Sequence, residues 1–146
     1  MSGIKIGEAA TRLGMTTRTL RYYEEMGLLT PEERNRGGFR LYGEDEIKRL
    51  ERISELKNLL GFNLHEIKAI FEAEDELATL RREYYADPDD HGRREGILER
   101  ALELNGRLRG LVDAKVAALQ EMKTTLESRA RGYKKTMKEL RAGATR

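Results

Sequence analysis

Between residues 12 and 40 every basic side chain is an arginine: Arg12, Arg18, Arg21, Arg34, Arg36 and Arg40. A guanidinium is a planar fork of donors that can meet two phosphate oxygens, or the O6 and N7 of a guanine, through a pair of parallel hydrogen bonds. The other reading of this run is a solvated surface in which the arginines balance Glu24, Glu25, Glu32 and Glu33. Composition alone does not separate the two. Other chemistries are poorly served. The absence of cysteine removes disulfides, thiolate metal sites and thiol redox sensing. No nucleophile with its base, phosphate-binding loop or acid dyad can be assembled, so the chain does not read as an enzyme. His91 beside Asp87, Asp89 and Asp90 could offer nitrogen and oxygen to a metal, but acids are common turn formers without one. Neither a metal nor a cofactor is expected.

The arginines must be held by elements, and the sequence supplies them. Ile6, Ala9, Ala10 and Leu13 recur at helical spacing, and Gly14 stands where a helix end favours glycine. Thr16 is placed to cap a second helix beginning at Thr17. Helix, tight turn with glycine, helix is the outline of a helix-turn-helix. Leu20 and Tyr23 lie one turn apart and are expected to face the first helix, which leaves Arg18, Arg21 and Tyr22 on other sides. Gly27 and then Thr30-Pro31 end the second helix. Residues 34–42, RNRGGFRLY, read as a hairpin wing turning at Gly37-Gly38. A third helix follows Gly43, with Ile47, Leu50, Ile53, Leu56, Leu59 and Leu60 on one stripe. Asn63 followed by Glu66 resembles a capping box for a fourth helix through Ile67, Ile70 and Phe71. Most of the arginines therefore fall on the second helix and the wing, the parts that a winged helix-turn-helix offers to DNA grooves.

The character changes over residues 72–100, where ten acids face five bases and Asp87-Pro88-Asp89-Asp90 marks a break. A short helix over 76–85 can precede that break. From about residue 97, Leu98, Ala101, Asn105, Leu108, Val112, Lys115, Leu119, Met122 and Leu126 recur at spacings of three and four, a heptad pattern. A helix of ~30 residues would be ~45 Å long, and it could bury this stripe against a second copy or by folding back. We expect a dimer seam through Leu98, Leu108, Val112, Leu119, Met122 and Leu126. The heptads do not say whether it is parallel or antiparallel. Residues 127–146 hold seven Lys or Arg and two Glu and read as a solvated, fraying end. The expected fold is mainly α, an N-terminal winged helix-turn-helix with a small β-hairpin wing followed by a long C-terminal dimerisation helix. The divisions are a DNA-binding domain over 1–73, a connector and effector region over 74–96, a coiled coil over 97–130 and a basic tail over 131–146.

At 146 residues a large enzyme is excluded. The 28 Lys and Arg nearly cancel 26 Asp and Glu, so a net charge of +2 does not by itself mark a nucleic-acid binder; distribution has to. The stretch MSGIKIGEAATRLG has no unbroken apolar core like that of a signal peptide, and no stretch reaches the ~20 apolar residues of a membrane span. A soluble cytoplasmic protein without membrane contact is expected.

Four motifs in order carry a resemblance to the MerR family of bacterial transcription regulators, covering residues 4–71. They are Ile6-Gly7-Glu8, Thr19-Leu20-Arg21-Tyr22-Tyr23-Glu24, Gly38-Phe39-Arg40-Leu41-Tyr42 and Leu60-Gly61-Phe62-Asn63-Leu64. The resemblance implies a homodimer paired through an antiparallel coiled coil, two winged domains on a pseudo-palindromic operator in an overlong promoter spacer, and distortion of that DNA for RNA polymerase. It implies that Thr17 and Arg18 meet base edges, that Arg21, Tyr22 and Tyr23 contact bases or backbone, that Arg36, Arg40 and Tyr42 seat the wing on phosphates, and that Lys57 adds a backbone contact. Tyr23 can also be a packed aromatic with its hydroxyl at the edge. Metal-sensing members carry cysteines around the dimer helix that this chain lacks, and the remaining residues leave no room for an appended effector domain. Tyr84 and Tyr85 lie where effector pockets form in the family, so an aromatic-lined site for a small-molecule effector is one reading of them, but exposed or interhelical packing is the favoured one. The competing function is an architectural dimer that bends or bridges DNA without an effector.

Overall fold

The computed structural model describes residues 3–30, 33–34 and 40–144, with the backbone alone at 33, 34 and 40. The chain divides into two compact units, Met1–Asp87 and Pro88–Arg146. In the first, a short strand β1 (Ile4–Lys5) leads into α1 (Ile6–Leu13) and α2 (Thr17–Glu25), then β2 (Glu33–Arg34), β3 (Arg40–Tyr42), α3 (Glu44–Ser54) and α4 (Leu64–Ala86). The first helix ends at Gly14, whose φ of 65° is left-handed and open to glycine at no steric cost. Thr16 caps α2, its hydroxyl oxygen accepting from the Thr19 amide at 3.1 Å. The hairpin is antiparallel, with Glu33 opposite Leu41 and Arg34 opposite Arg40. Its turn, with Arg36, Gly37, Gly38 and Phe39, lies outside the described residues. The sequence offered no sign of β1, which pairs antiparallel with β3 and makes a three-stranded sheet in the order β1-β3-β2.

The core of this unit gathers Ala9 and Ala10 of α1, Leu20 and Tyr23 of α2, Ile47, Leu50 and Ile53 of α3, and Ile67, Ile70 and Phe71 of α4. These are the apolar positions of the helical stripes, and α1 packs on both α2 and α3. The expected stripe of α3 fails at its end. After Ser54 the backbone widens into a π-turn, Glu55–Leu59, in which each residue rotates less far about the axis than in an α-helix. Leu56 stays buried, but Leu59 and Leu60 swing out to solvent. Gly61, at φ 74°, then turns the chain so that Phe62 is buried instead, its amide donating to the Leu56 carbonyl at 2.9 Å. The Asn63–Glu66 capping box forms as the sequence suggests, with reciprocal bonds of 2.8 and 2.9 Å.

Arg49 ties three elements together. Its Nε donates to the Leu28 carbonyl at 2.6 Å, its guanidinium lies 4.1 Å from the centre of the Phe71 ring, and its terminal nitrogens meet Asp75 at 3.3 and 3.4 Å. The Asp75 pair is exposed and contributes little. Orphaning the carbonyl of buried Leu28 and losing the cation–π contact matter more. We therefore expect Arg49→Ala to destabilise this unit by about 2 to 3 kcal/mol, read as a lower denaturant midpoint at unchanged slope.

The segment read as a connector is largely helical. α4 is continuous through residues 74–86, absorbing the separate short helix expected over 76–85, and ends at Asp87 immediately before Pro88. Only residues 87–90 interrupt the helices. The Asp90 carboxylate accepts from the Arg93 amide at 3.0 Å and so starts α5 (His91–Ala144). At 54 residues α5 spans about 80 Å, far longer than the helix over 97–130, and it runs through the basic segment read as a fraying tail. No proline follows Pro88. Charge pairs at helical spacing support it, including Glu103 between Arg100 at 3.0 Å and Arg107 at 2.8 Å. The hydrogen bond from Arg100, followed by its charge and the same two effects from Arg107, holds the Glu103 carboxyl below its ordinary pKa. Cations near the C-terminus also suit the helix dipole. Ile97 and Leu104 are buried, whereas Leu98, Val112, Leu119, Met122 and Leu126 are exposed. No helix among the described residues is long and apolar enough to cross a membrane.

Candidate nucleic-acid interface

The face of α2 is set by what the helix buries. Leu20 and Tyr23 enter the core, so Arg18, Arg21 and Tyr22, three and four residues apart, share the opposite side and are exposed. Thr17, at the first helical position, is half-buried. Nine residues make a helix about 13 Å long, and a major groove ~12 Å wide admits one. With one side in the core, only the arginine side is available to a duplex.

Tyr23 takes the packed position that its spacing suggested, whereas Tyr42 sits differently from its expected phosphate contact. Tyr23 is 3% exposed, so its ring packs in the core and only its rim can reach a partner. Tyr42 is 1% exposed, and its hydroxyl donates to the Glu24 carboxylate. A phosphate would have to displace Glu24 to reach it. The resemblance implied a phosphate contact for Tyr42, but the alternation of side chains along β3 puts Tyr42 on the buried face and leaves Leu41 half-buried on the other. Arg40 stands opposite Arg34 in the strand register, and Arg36 lies outside the described residues. Lys57 is exposed on the π-turn. The sheet also brings in Lys5 of β1, exposed and paired in register with Leu41, which sequence reading missed because a two-residue strand has no periodicity to detect.

Tyr84 and Tyr85 contact each other edge-to-face, with ring centres 5.2 Å apart. Tyr84 is half-buried and Tyr85 exposed. A cavity of about 440 Å³ in the first unit lies elsewhere, lined by Leu28, Asp45, Glu46, Arg49 and Asp75 among others, and neither tyrosine borders it. His91 is exposed at the start of α5, beside an Asp90 carboxylate engaged in capping. Among the described residues no three His, Asp or Glu side chains converge on a common point fit for a metal. Zinc and copper favour thiolate and imidazole donors, and this chain has no cysteine and two histidines. We expect purified protein to bind neither metal stoichiometrically at sub-micromolar concentration. Tight binding lost on His91→Ala would overturn this.

A family model for MerR HTH family regulatory proteins matches residues 4–74. The chain is 37% identical over 127 residues to the HTH-type transcriptional regulator YfmP of Bacillus subtilis, covering 87% of this chain and 90% of that one. It is 35% identical over 125 residues to the HTH-type transcriptional regulator ZntR of Escherichia coli, covering 84% and 75%. Among solved structures, a transcription regulator of Ralstonia metallidurans in complex with lead(II) superposes with a TM-score of 0.57 at 26% identity, over 88% of this chain and 80% of that one. The order of motifs, the winged helix-turn-helix with its arginine face and these similarities agree. The chain belongs to the MerR HTH family of regulatory proteins, DNA-binding transcription regulators rather than enzymes.

Proposed function

We propose that the protein binds a pseudo-palindromic operator in a promoter spacer as a homodimer and controls RNA polymerase by distorting that DNA, in response to a small-molecule effector. The observation that carries this reading is the exposed α2 face of Arg18, Arg21 and Tyr22 opposite a buried Leu20 and Tyr23. Thr17 and Arg18 read base edges at the start of α2. Arg21 and Tyr22 extend the contact, with Tyr23 supporting it from the core. Arg36 and Arg40 of the wing, with Lys57, hold phosphates; Tyr42 acts by keeping Glu24 in place. Phosphate contacts at both ends of a site supply the energy to bend or untwist its centre. Residues 1–73 bind DNA, 97–130 pair the two copies, and 74–96, with Tyr84 and Tyr85, receive the effector.

Sequencing the DNA retained by purified protein tests this directly. Two inverted half-sites lying between promoter elements are expected. Sites without a shared motif would instead support the architectural reading, as would promoter activity in a purified transcription system that no cell extract fraction of small molecules alters.

A further inference from the structure

Along α5 the apolar stripe is interrupted twice, by Asn105 and by Lys115. Both stand at the positions a paired helix must bury. Around them Leu98, Val112, Leu119, Met122 and Leu126 are exposed, and so are the flanking Leu102 and Val116. A second copy of α5 is the occupant whose length and repeat match this surface. Lys115 then decides its direction. A parallel pair in register would set Lys115 against the partner's Lys115, two like charges inside an apolar seam.

In an antiparallel pair each layer joins an a position to a d position, and the permitted registers differ by whole heptads. One register sets Leu98 opposite the partner's Met122, Ala101 opposite the partner's Leu119, Leu108 opposite the partner's Val112, and Asn105 opposite the partner's Lys115. Both polar interruptions then share a layer, where the Asn105 amide oxygen accepts from the ammonium. Every other layer in that span is apolar. Sliding by one heptad sets Asn105 against the partner's Met122 and Lys115 against the partner's Val112; sliding the other way sets them against the partner's Leu108 and the partner's Leu98. Each slip leaves two kinds of polar group facing hydrocarbon. The flanks agree with the first register, because Leu102 falls beside the partner's Val116 and Glu95 beside the partner's Lys123. We infer that Asn105 and Lys115 together fix one antiparallel register of the α5 pair, at some cost in stability. The inference rests on the proposed dimer and adds the feature that selects among its alignments.

The native chain has no cysteine, so introduced thiols report without interference. Full-length Leu98→Cys and Met122→Cys proteins are oxidised mildly, each alone and after mixing under exchange conditions. A covalent dimer is expected in the mixture and none in either protein alone. Ala101→Cys mixed with Leu126→Cys, the layer of the neighbouring register, should give none. Self-cross-linking of Leu98→Cys, or a 101–126 cross-link, would overturn the inference. Asn105→Leu combined with Lys115→Leu should raise the melting temperature and admit the 101–126 cross-link; a variant that still excluded it would show that something else sets the register. Sedimentation of the unaltered protein separates the two layers of argument. A monomer would sink the dimer itself, whereas a dimer with the wrong cross-link sinks the register alone.

Discussion

Replacing Val112 and Leu119 together with Asp is expected to yield a protein that sediments as a monomer and loses its operator while its N-terminal unit stays folded. Both side chains are exposed on α5 in the single chain, so the substitutions remove nothing from the core of residues Met1–Asp87. In the proposed pair they lie in the seam, where each apolar side chain contributes ~1.5 to 3 kcal/mol before ordering costs. Four carboxylates per dimer in that seam would have to be desolvated, a cost that exceeds what the apolar layers return. One winged unit alone should bind near the non-specific range of ~10⁻⁴ to 10⁻⁶ M at physiological salt. Tethering makes the second contact intramolecular and is worth ~10² to 10⁴ in avidity. Operator affinity should fall by that factor, measured by titration of labelled DNA, with the thermal melt of the N-terminal unit preserved. A double variant that stays dimeric and holds its operator normally would show that α5 does not pair the copies.

Arg18→Ala should lower affinity and relax base preference, because a bidentate base contact is worth ~1 to 3 kcal/mol of discrimination. Arg40→Ala, on the wing strand, should instead weaken all sequences alike and reduce the slope of log affinity against log salt by about one. The two are compared on operator and random DNA over a salt series. Equal losses on both DNAs for both variants would remove α2 from its role as the reader. Arg18 is exposed on the side of α2 away from the core, so this loss is not expected to come with unfolding.

Features encoded within a few residues of one another were legible in the sequence. The bounds of α1, the Thr16 cap and the Asn63–Glu66 box each depend on groups three or four positions apart, and they form where those groups stand. The same holds for the arginine face of α2, because burying Leu20 and Tyr23 fixes where Arg18, Arg21 and Tyr22 must point. The Asp87-Pro88-Asp89-Asp90 break announced itself through proline and acids. Tertiary structure decided what depends on distant partners. Glu24 meets Tyr42, and Arg49 meets Leu28 and Asp75, across intervals of 18, 21 and 26 residues. No local pattern announces such pairs, so Tyr42 was read as a surface contact and Arg49 was not singled out. The strand β1 exists only because β3 offers it an edge. Leu59 and Leu60 carry the spacing of buried residues, yet the π-turn rotates them into solvent and seats Phe62 in the core. Helix periodicity assumes a constant turn, and that turn is what packing changed.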